Sequence, residues 1–181
     1  MNSLLPPRLV EAATQVILAN RAAGRRVAVA ESCTGGLVCA ALTEVAGSSD
    51  VFEAGYVTYS NAAKTGMLKV SSDVVDTFGA VSVATAWAMA RGALAASNAD
   101  VAVAITGIAG PEGGSVSKPV GTVVFALAER NAETADIIAD SQLLDATGGR
   151  SGIRLQAALV ALDLLLPRQP DAAKPIGLSA P

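Results

Sequence analysis

Residues 28–36 read AVAESCTGG. A short apolar run with a β-branched residue meets a glutamate, a serine, a cysteine, a threonine and two glycines, and an apolar, helix-compatible run follows at once. A buried strand that passes through a polar turn into a helix is a building unit of α/β architecture. RVAVA (26–30) is therefore expected as a buried strand, and TGGLVCAALTEVA (34–46) as the helix after it, stopped at Gly47.

The same alternation extends outward. Residues 6–23 carry apolar positions near helical spacing, with Gly24 as the stop. AGYVTYS (54–60) reads as a strand, NAAKTGMLKV (61–70) as a short helix opened by Asn61, and SSDVVDTFG (71–79) as another capped by Ser72 or Asp73. Residues 81–100 form an Ala-rich helical pattern, and VAVAITG (101–107) a second buried strand. The Gly/Pro segment 108–119 is longer than an ordinary connector, a length that often accompanies function. Residues 120–129 and 133–144 read as strands joined by a hairpin near Arg130-Asn131, and 148–166 as a long helix ended by Pro167. The fold expected is a three-layer α/β/α sandwich around a mixed, mostly parallel sheet. One domain is expected over residues 1–166, with 167–181 as a disordered tail.

The chain has 181 residues, enough to bury roughly 70% of its unfolded surface without staples. No apolar run reaches the roughly 18–20 residues that span a bilayer, and the N-terminus lacks a signal-peptide pattern, so no membrane partner and a cytoplasmic location are expected. The net charge of −3 and the absence of a basic stripe argue against a nucleic-acid partner. The two cysteines, Cys33 and Cys39, lie six apart, on different faces of one helix, and read as free thiols. There is no histidine. That excludes a Ser-His-Asp triad, a Cys-His pair and every His-bearing zinc site. No metal and no cofactor are expected.

Ligands of open α/β sheets sit beyond the carboxyl ends of the strands. Three such ends are polar here: Glu31 to Gly36, Tyr59-Ser60-Asn61 with Lys64 one turn on, and Thr106-Gly107. Ser32 stands where outward N–H groups of Cys33, Thr34, Gly35 and Gly36 could form an oxyanion hole or hold an anion, although Ser32 or Thr34 could equally be a plain helix cap. ESCTGGL argues against a P-loop, because it lacks the lysine and hydroxyl spacing. Of the four lysines (64, 69, 118 and 174), only Lys64 falls at a strand-to-helix junction that faces this crevice. A buried lysine can replace histidine as the base for a serine, whereas the plain alternative is a surface lysine. Ser48 and Ser49 after Gly47 read either as caps or as binding residues, with Ser49 a rival nucleophile. Tyr59 reads as core, or as a hydroxyl that orients Lys64. Thr106 could donate to a substrate oxygen, Arg150 suits an anionic group, and Arg154 reads as solvated.

AESCTGG, GSS, GYVTYSNAAK, GAVS, AITGIAGPEGGS and KPVGTV, in that order, resemble the CinA C-terminal domain family over roughly residues 8–166. With one helix ahead of the first motif, the chain looks like the stand-alone form, whose members are nicotinamide-nucleotide amidohydrolases. The resemblance implies hydrolysis of the carboxamide of nicotinamide mononucleotide (NMN) to nicotinate mononucleotide and ammonia by a Ser/Lys dyad through an acyl-enzyme. It carries over to Ser32 as the serine and Lys64 as the lysine, with Tyr59, Ser49 and Thr106 at matching motif positions and Arg150 by position. The expected partner is a small nucleotide, and the Ala-rich helices suit a homo-oligomer. Two other readings stand beside this one: a non-catalytic competence- or damage-inducible interaction module, and an amidase of the same fold acting on another small amide.

Overall fold

A computed structural model describes residues 3–130 and 138–167. In chain order the elements are α1 (Pro7–Ala22), β1 (Val27–Glu31), α2 (Leu37–Glu44), a 3-10 turn (Ser48–Asp50), β2 (Phe52–Val57) and α3 (Asn61–Leu68). They continue with α4 (Ser72–Phe78), α5 (Val83–Ala95), β3 (Val101–Gly107), β4 (Thr122–Glu129), β5 (Ile138–Leu143) and α6 (Gly149–Leu164). The sheet order is β2-β1-β3-β4-β5. β1 pairs in parallel with β2 and β3, and β4 pairs antiparallel with β3 and β5, so β4 alone runs against the others. The expected turn beyond Arg130 and the expected tail after Pro167 lie outside the described residues.

The two VAVA runs explain the three layers. Side chains of a strand alternate between faces. Val27, Val29, Val101, Val103 and Ile105 therefore share one face with Phe125, packed against α1, α2 and α6. Ala28, Ala30, Ala102 and Ala104 share the other, where Ala86, Met89, Ala90 and Ala93 of α5 meet them. Small side chains on both partners let α5 lie close to the sheet. Gly92 extends this closeness to α3, since a Cβ there would collide with the Leu68 carbonyl oxygen. Leu68 ends the helix that carries Lys64, so Gly92 helps to set where that lysine sits. Phe125 is fully buried in the larger core, and its truncation to Ala costs about 3–5 kcal/mol.

Several boundaries differ from the sequence reading, each for a local reason. α2 begins at Leu37 rather than residue 34, because Gly35 (φ 60°) and Gly36 (φ 92°) are left-handed. Ser60, not Asn61, caps α3 by accepting from the Ala63 amide, and Ser71, not Ser72 or Asp73, caps α4. Ser82 caps α5 at Val83 by accepting from the Thr85 amide, so residues 81 and 82 stay outside the helix. Among the described residues no helix is long and apolar enough to cross a membrane.

The connection leaving β1 crosses one face of the sheet through α2, and the connection entering β3 returns over the other through α5. Such a switch opens a crevice beyond the carboxyl end of the central strand. Here that strand is β1, and the residue after it is Ser32.

Candidate active site

The crevice holds a cavity of about 190 Å³. The turn after β1 supplies Ser32 and Cys33, the β2–α3 junction supplies Tyr59, Asn61 and Lys64, β3 supplies Thr106 and Gly107, and α6 supplies Arg150. A larger, shallower hollow of about 740 Å³ runs along α1 past Leu5 and Val10. Among the described residues, Glu11 is the only ionisable side chain lining it, and no nucleophile is paired there with a base.

Lys64 Nζ lies 3.1 Å from Ser32 Oγ and donates to the Thr58 carbonyl at 3.0 Å. Both side chains are buried: Lys64 is 1% exposed and Ser32 8%. Among the described residues no carboxylate pairs with Lys64. Burial without a counter-charge pushes the lysine below its ordinary 10.5, a shift that the neighbouring Cys33 partly offsets. A neutral amine keeps one N–H for Thr58 and offers its lone pair to the Ser32 hydroxyl. The reading of Lys64 as a surface lysine is corrected by this burial. Cys33, also facing the cavity, is a poor nucleophile, because burial pushes its thiol up to about 11, with the Glu31 charge adding to the effect.

Glu31 was not singled out in the sequence, and it organises the turn. Its fully buried carboxylate accepts from the amides of Gly36 (2.9 Å), Val38 (3.2 Å) and Cys39 (2.9 Å). Neither Ser32 nor Thr34 caps α2; Glu31 does, from five residues upstream of Gly36. The three N–H groups at the start of α2 thereby find their acceptor in one side chain. The turn amides are divided accordingly. Ser32 N–H donates to Ile105, Gly35 N–H to the Ser32 carbonyl, and Gly36 N–H to Glu31. Among the described residues, the Cys33 and Thr34 amides have no oxygen acceptor and only the Cys33 sulfur beside them. Gly35 and Gly36 thus shape the turn and have no amide to spare for a substrate.

At the mouth Arg150 donates to the Tyr59 hydroxyl at 2.8 Å and to the Gly110 carbonyl at 2.7 Å. The Tyr59 hydroxyl therefore faces Arg150 instead of orienting Lys64, and the residue is 60% exposed rather than core. Thr106 Oγ1 donates to the Ala80 carbonyl at 2.8 Å, which commits the proton that it was expected to offer a substrate. Arg154 is not simply solvated: its Nη2 donates to the Thr34 carbonyl at 2.8 Å and steadies the turn. Ser48 and Ser49 sit on the 3-10 turn ahead of β2, at the opposite end of the strands, and this chain does not bring them to the cavity. Ala80, Val81 and Ala109 complete the lining. The sequence reading had placed Val81 at the start of a helix; the signal against that was Ser82, a helix cap directly after it.

Residues 10–168 match the CinA C-terminal domain family. The chain belongs to that family. It is 47% identical to the nicotinamide-nucleotide amidohydrolase PncC of Enterobacter agglomerans, across 88% of this chain and 94% of that protein. It is 48% identical to a putative competence-damage inducible protein of Symbiobacterium thermophilum, of which it spans only 35%. Among solved structures, the competence/damage inducible protein CihA from Agrobacterium tumefaciens superposes with a TM-score of 0.85 at 48% identity, covering 91% of this chain and 97% of that one. The CinA resemblance read from the motifs thus holds, and so does the α/β class read from the alternation of strands and helices.

Proposed function

We propose that this CinA-family domain hydrolyses the carboxamide of NMN to nicotinate mononucleotide and ammonia, with Ser32 as nucleophile and Lys64 as base. The observation that carries the reading is the buried Lys64 Nζ, 3.1 Å from Ser32 Oγ, in a chain without histidine. Its relatives of nearly equal length are named for that reaction.

Neutral Lys64 takes the Ser32 proton as Oγ attacks the carboxamide carbon. The negative charge that develops on the carboxamide oxygen meets the Cys33 amide, which belongs to the residue after the nucleophile. Collapse of this intermediate breaks the C–N bond, and Lys64 returns the proton to the departing nitrogen as ammonia leaves. Water, deprotonated by the same lysine, then attacks the acyl-enzyme. Nicotinate mononucleotide leaves as the carboxylate, the second proton of the water passing to solvent, and Lys64 returns the first to Ser32. The phosphate end of the nucleotide reaches the mouth, where Arg150 carries the charge that suits it.

Ammonia release from NMN by wild type, Ser32→Ala, Lys64→Ala and the double variant tests the reading. Each single change is expected to lower kcat at least about a thousandfold, and the double variant to be no slower than either, as for residues that act as one unit. Folded wild type that releases no ammonia overturns the substrate; independent, multiplying losses overturn the dyad.

A further inference from the structure

The long 108–119 segment lines the cavity only through Ala109, yet it grips both walls. Its Gly110 carbonyl holds Arg150 on one side. On the other, Lys118 Nζ donates to the Val81 carbonyl at 2.7 Å and to the Phe78 carbonyl at 3.3 Å. Lys118 is itself fixed by a tight turn, in which its N–H donates to Ser115 Oγ and the Ser115 N–H to the Lys118 carbonyl.

The carbonyls of the 78–81 segment are all taken. Ser82 and Thr85 hydroxyls donate to Gly79, Thr106 to Ala80, and Lys118 to Phe78 and Val81. Of its amides, Gly79 N–H donates to the Val75 carbonyl, but among the described residues the Ala80 and Val81 N–H groups have no partner, and both residues line the cavity. In a trans peptide each N–H points opposite the preceding carbonyl, so the Gly79 carbonyl, held by Ser82 and Thr85, aims the Ala80 amide, and the Ala80 carbonyl, held by Thr106, aims the Val81 amide, while Lys118 anchors the segment at its two ends, Phe78 and Val81. An oxyanion hole beside a nucleophilic serine commonly joins the amide after the nucleophile to one from a separate loop. Cys33 offers the first here.

We infer that Lys118 is a positioning residue that holds the Ala80–Val81 wall so that a backbone amide of this segment serves as the second donor to the carboxamide oxygen. Lys118 itself touches no substrate. The inference rests on the amidase reading and extends it to the long loop.

Lys118→Met keeps the stem and removes the donors, and Lys118→Arg restores donors that can reach two carbonyls. Ammonia release should be followed from NMN and from nicotinamide riboside, which lacks the phosphate. Lys118→Met is expected to lower kcat about tenfold or more on both amides, since removing an oxyanion donor outright costs about a hundredfold or more, while KM changes less than about threefold. Lys118→Arg should recover most of the loss, which a general loss of stability would not allow. A KM rise confined to NMN would assign the wall to the phosphate and overturn the inference; so would unchanged kcat in Lys118→Met. Labelling of Ser32 by a fluorophosphonate, whose phosphoryl oxygen uses the same donors, separates the two readings. Slower labelling in Lys118→Met supports the inference even where NMN proves not to be the substrate, and equal labelling overturns it even where NMN is hydrolysed.

Discussion

Lys64 and Ser32 come from different strand ends, and their reactive atoms stand 3.1 Å apart beneath the surface. A base must be neutral to accept the serine proton, and burial has moved Lys64 below its ordinary 10.5. The sign follows: kcat/KM should rise with pH through a midpoint below 10.5 and fall away on the acid side as Lys64 becomes charged. Lys64→Arg should not rescue activity at any pH where the protein is folded, because the guanidinium stays protonated. A pH–rate profile of wild type and this variant checks both points, and a flat profile would remove Lys64 from the base role.

The same burial carries a stability cost. The folded-state pKa of Lys64 lies below the unfolded value, so protons favour the unfolded chain. The cost is full below the folded-state pKa, fades through the window between the two values, and is gone above 10.5. Lys64→Met should therefore be inactive yet melt above wild type at neutral pH, by about 2–4 °C for each kcal/mol relieved. Thermal midpoints measured from pH 7 to 10.5 should show the margin closing. A margin independent of pH would mean that the lysine is solvated.

What could be read in the sequence was whatever local chemistry decides. The VAVA runs are buried strands in any context, and the lack of histidine forced attention onto Lys64 at a strand end. Glu31 was illegible for a physical reason: a buried carboxylate five residues ahead of Gly36 is a cap only if the intervening turn folds back, and that fold-back depends on left-handed Gly35 and Gly36. Ser48 and Ser49 misled in the opposite way. Their position after a glycine turn resembles a site in sequence, but the parallel pairing of β1 and β2 places the turn before β2 at the amino end of the strands, away from the crevice. Lys118 gave no local signal, since its partners lie about 40 residues upstream.

Arg150 and Tyr59 share a hydrogen bond at the mouth and should act together on the phosphate end. Arg150→Ala is expected to raise KM for NMN by about ten- to a hundredfold, the worth of a charged hydrogen bond. KM for nicotinamide riboside should stay within a few fold. Tyr59→Phe keeps the ring and leaves Arg150 with only Gly110, so its effect should be smaller and in the same direction. Steady-state kinetics on both substrates, with the double variant, reads the coupling; equal losses on both substrates would place Arg150 at the carboxamide end instead.

Glu31 makes the last prediction, because one side chain there holds three amides. Glu31→Ala leaves the Gly36, Val38 and Cys39 donors without their acceptor in a fully buried place. The loss should be about 3 kcal/mol or more, or roughly 6–12 °C in thermal midpoint for a chain of this size. Glu31→Gln keeps the shape and one acceptor oxygen but turns an NH2 group toward other donors, so its cost should fall between wild type and Ala. Activity should suffer beyond stability. The turn that Glu31 restrains carries Ser32 and the Cys33 amide, and a small misplacement of either lengthens the approach to the carboxamide. Measured well below the melting midpoint, Glu31→Gln should thus lose kcat while its circular dichroism stays that of the wild type. Full kcat in a folded Glu31→Gln protein would reduce Glu31 to a helix cap without influence on the nucleophile.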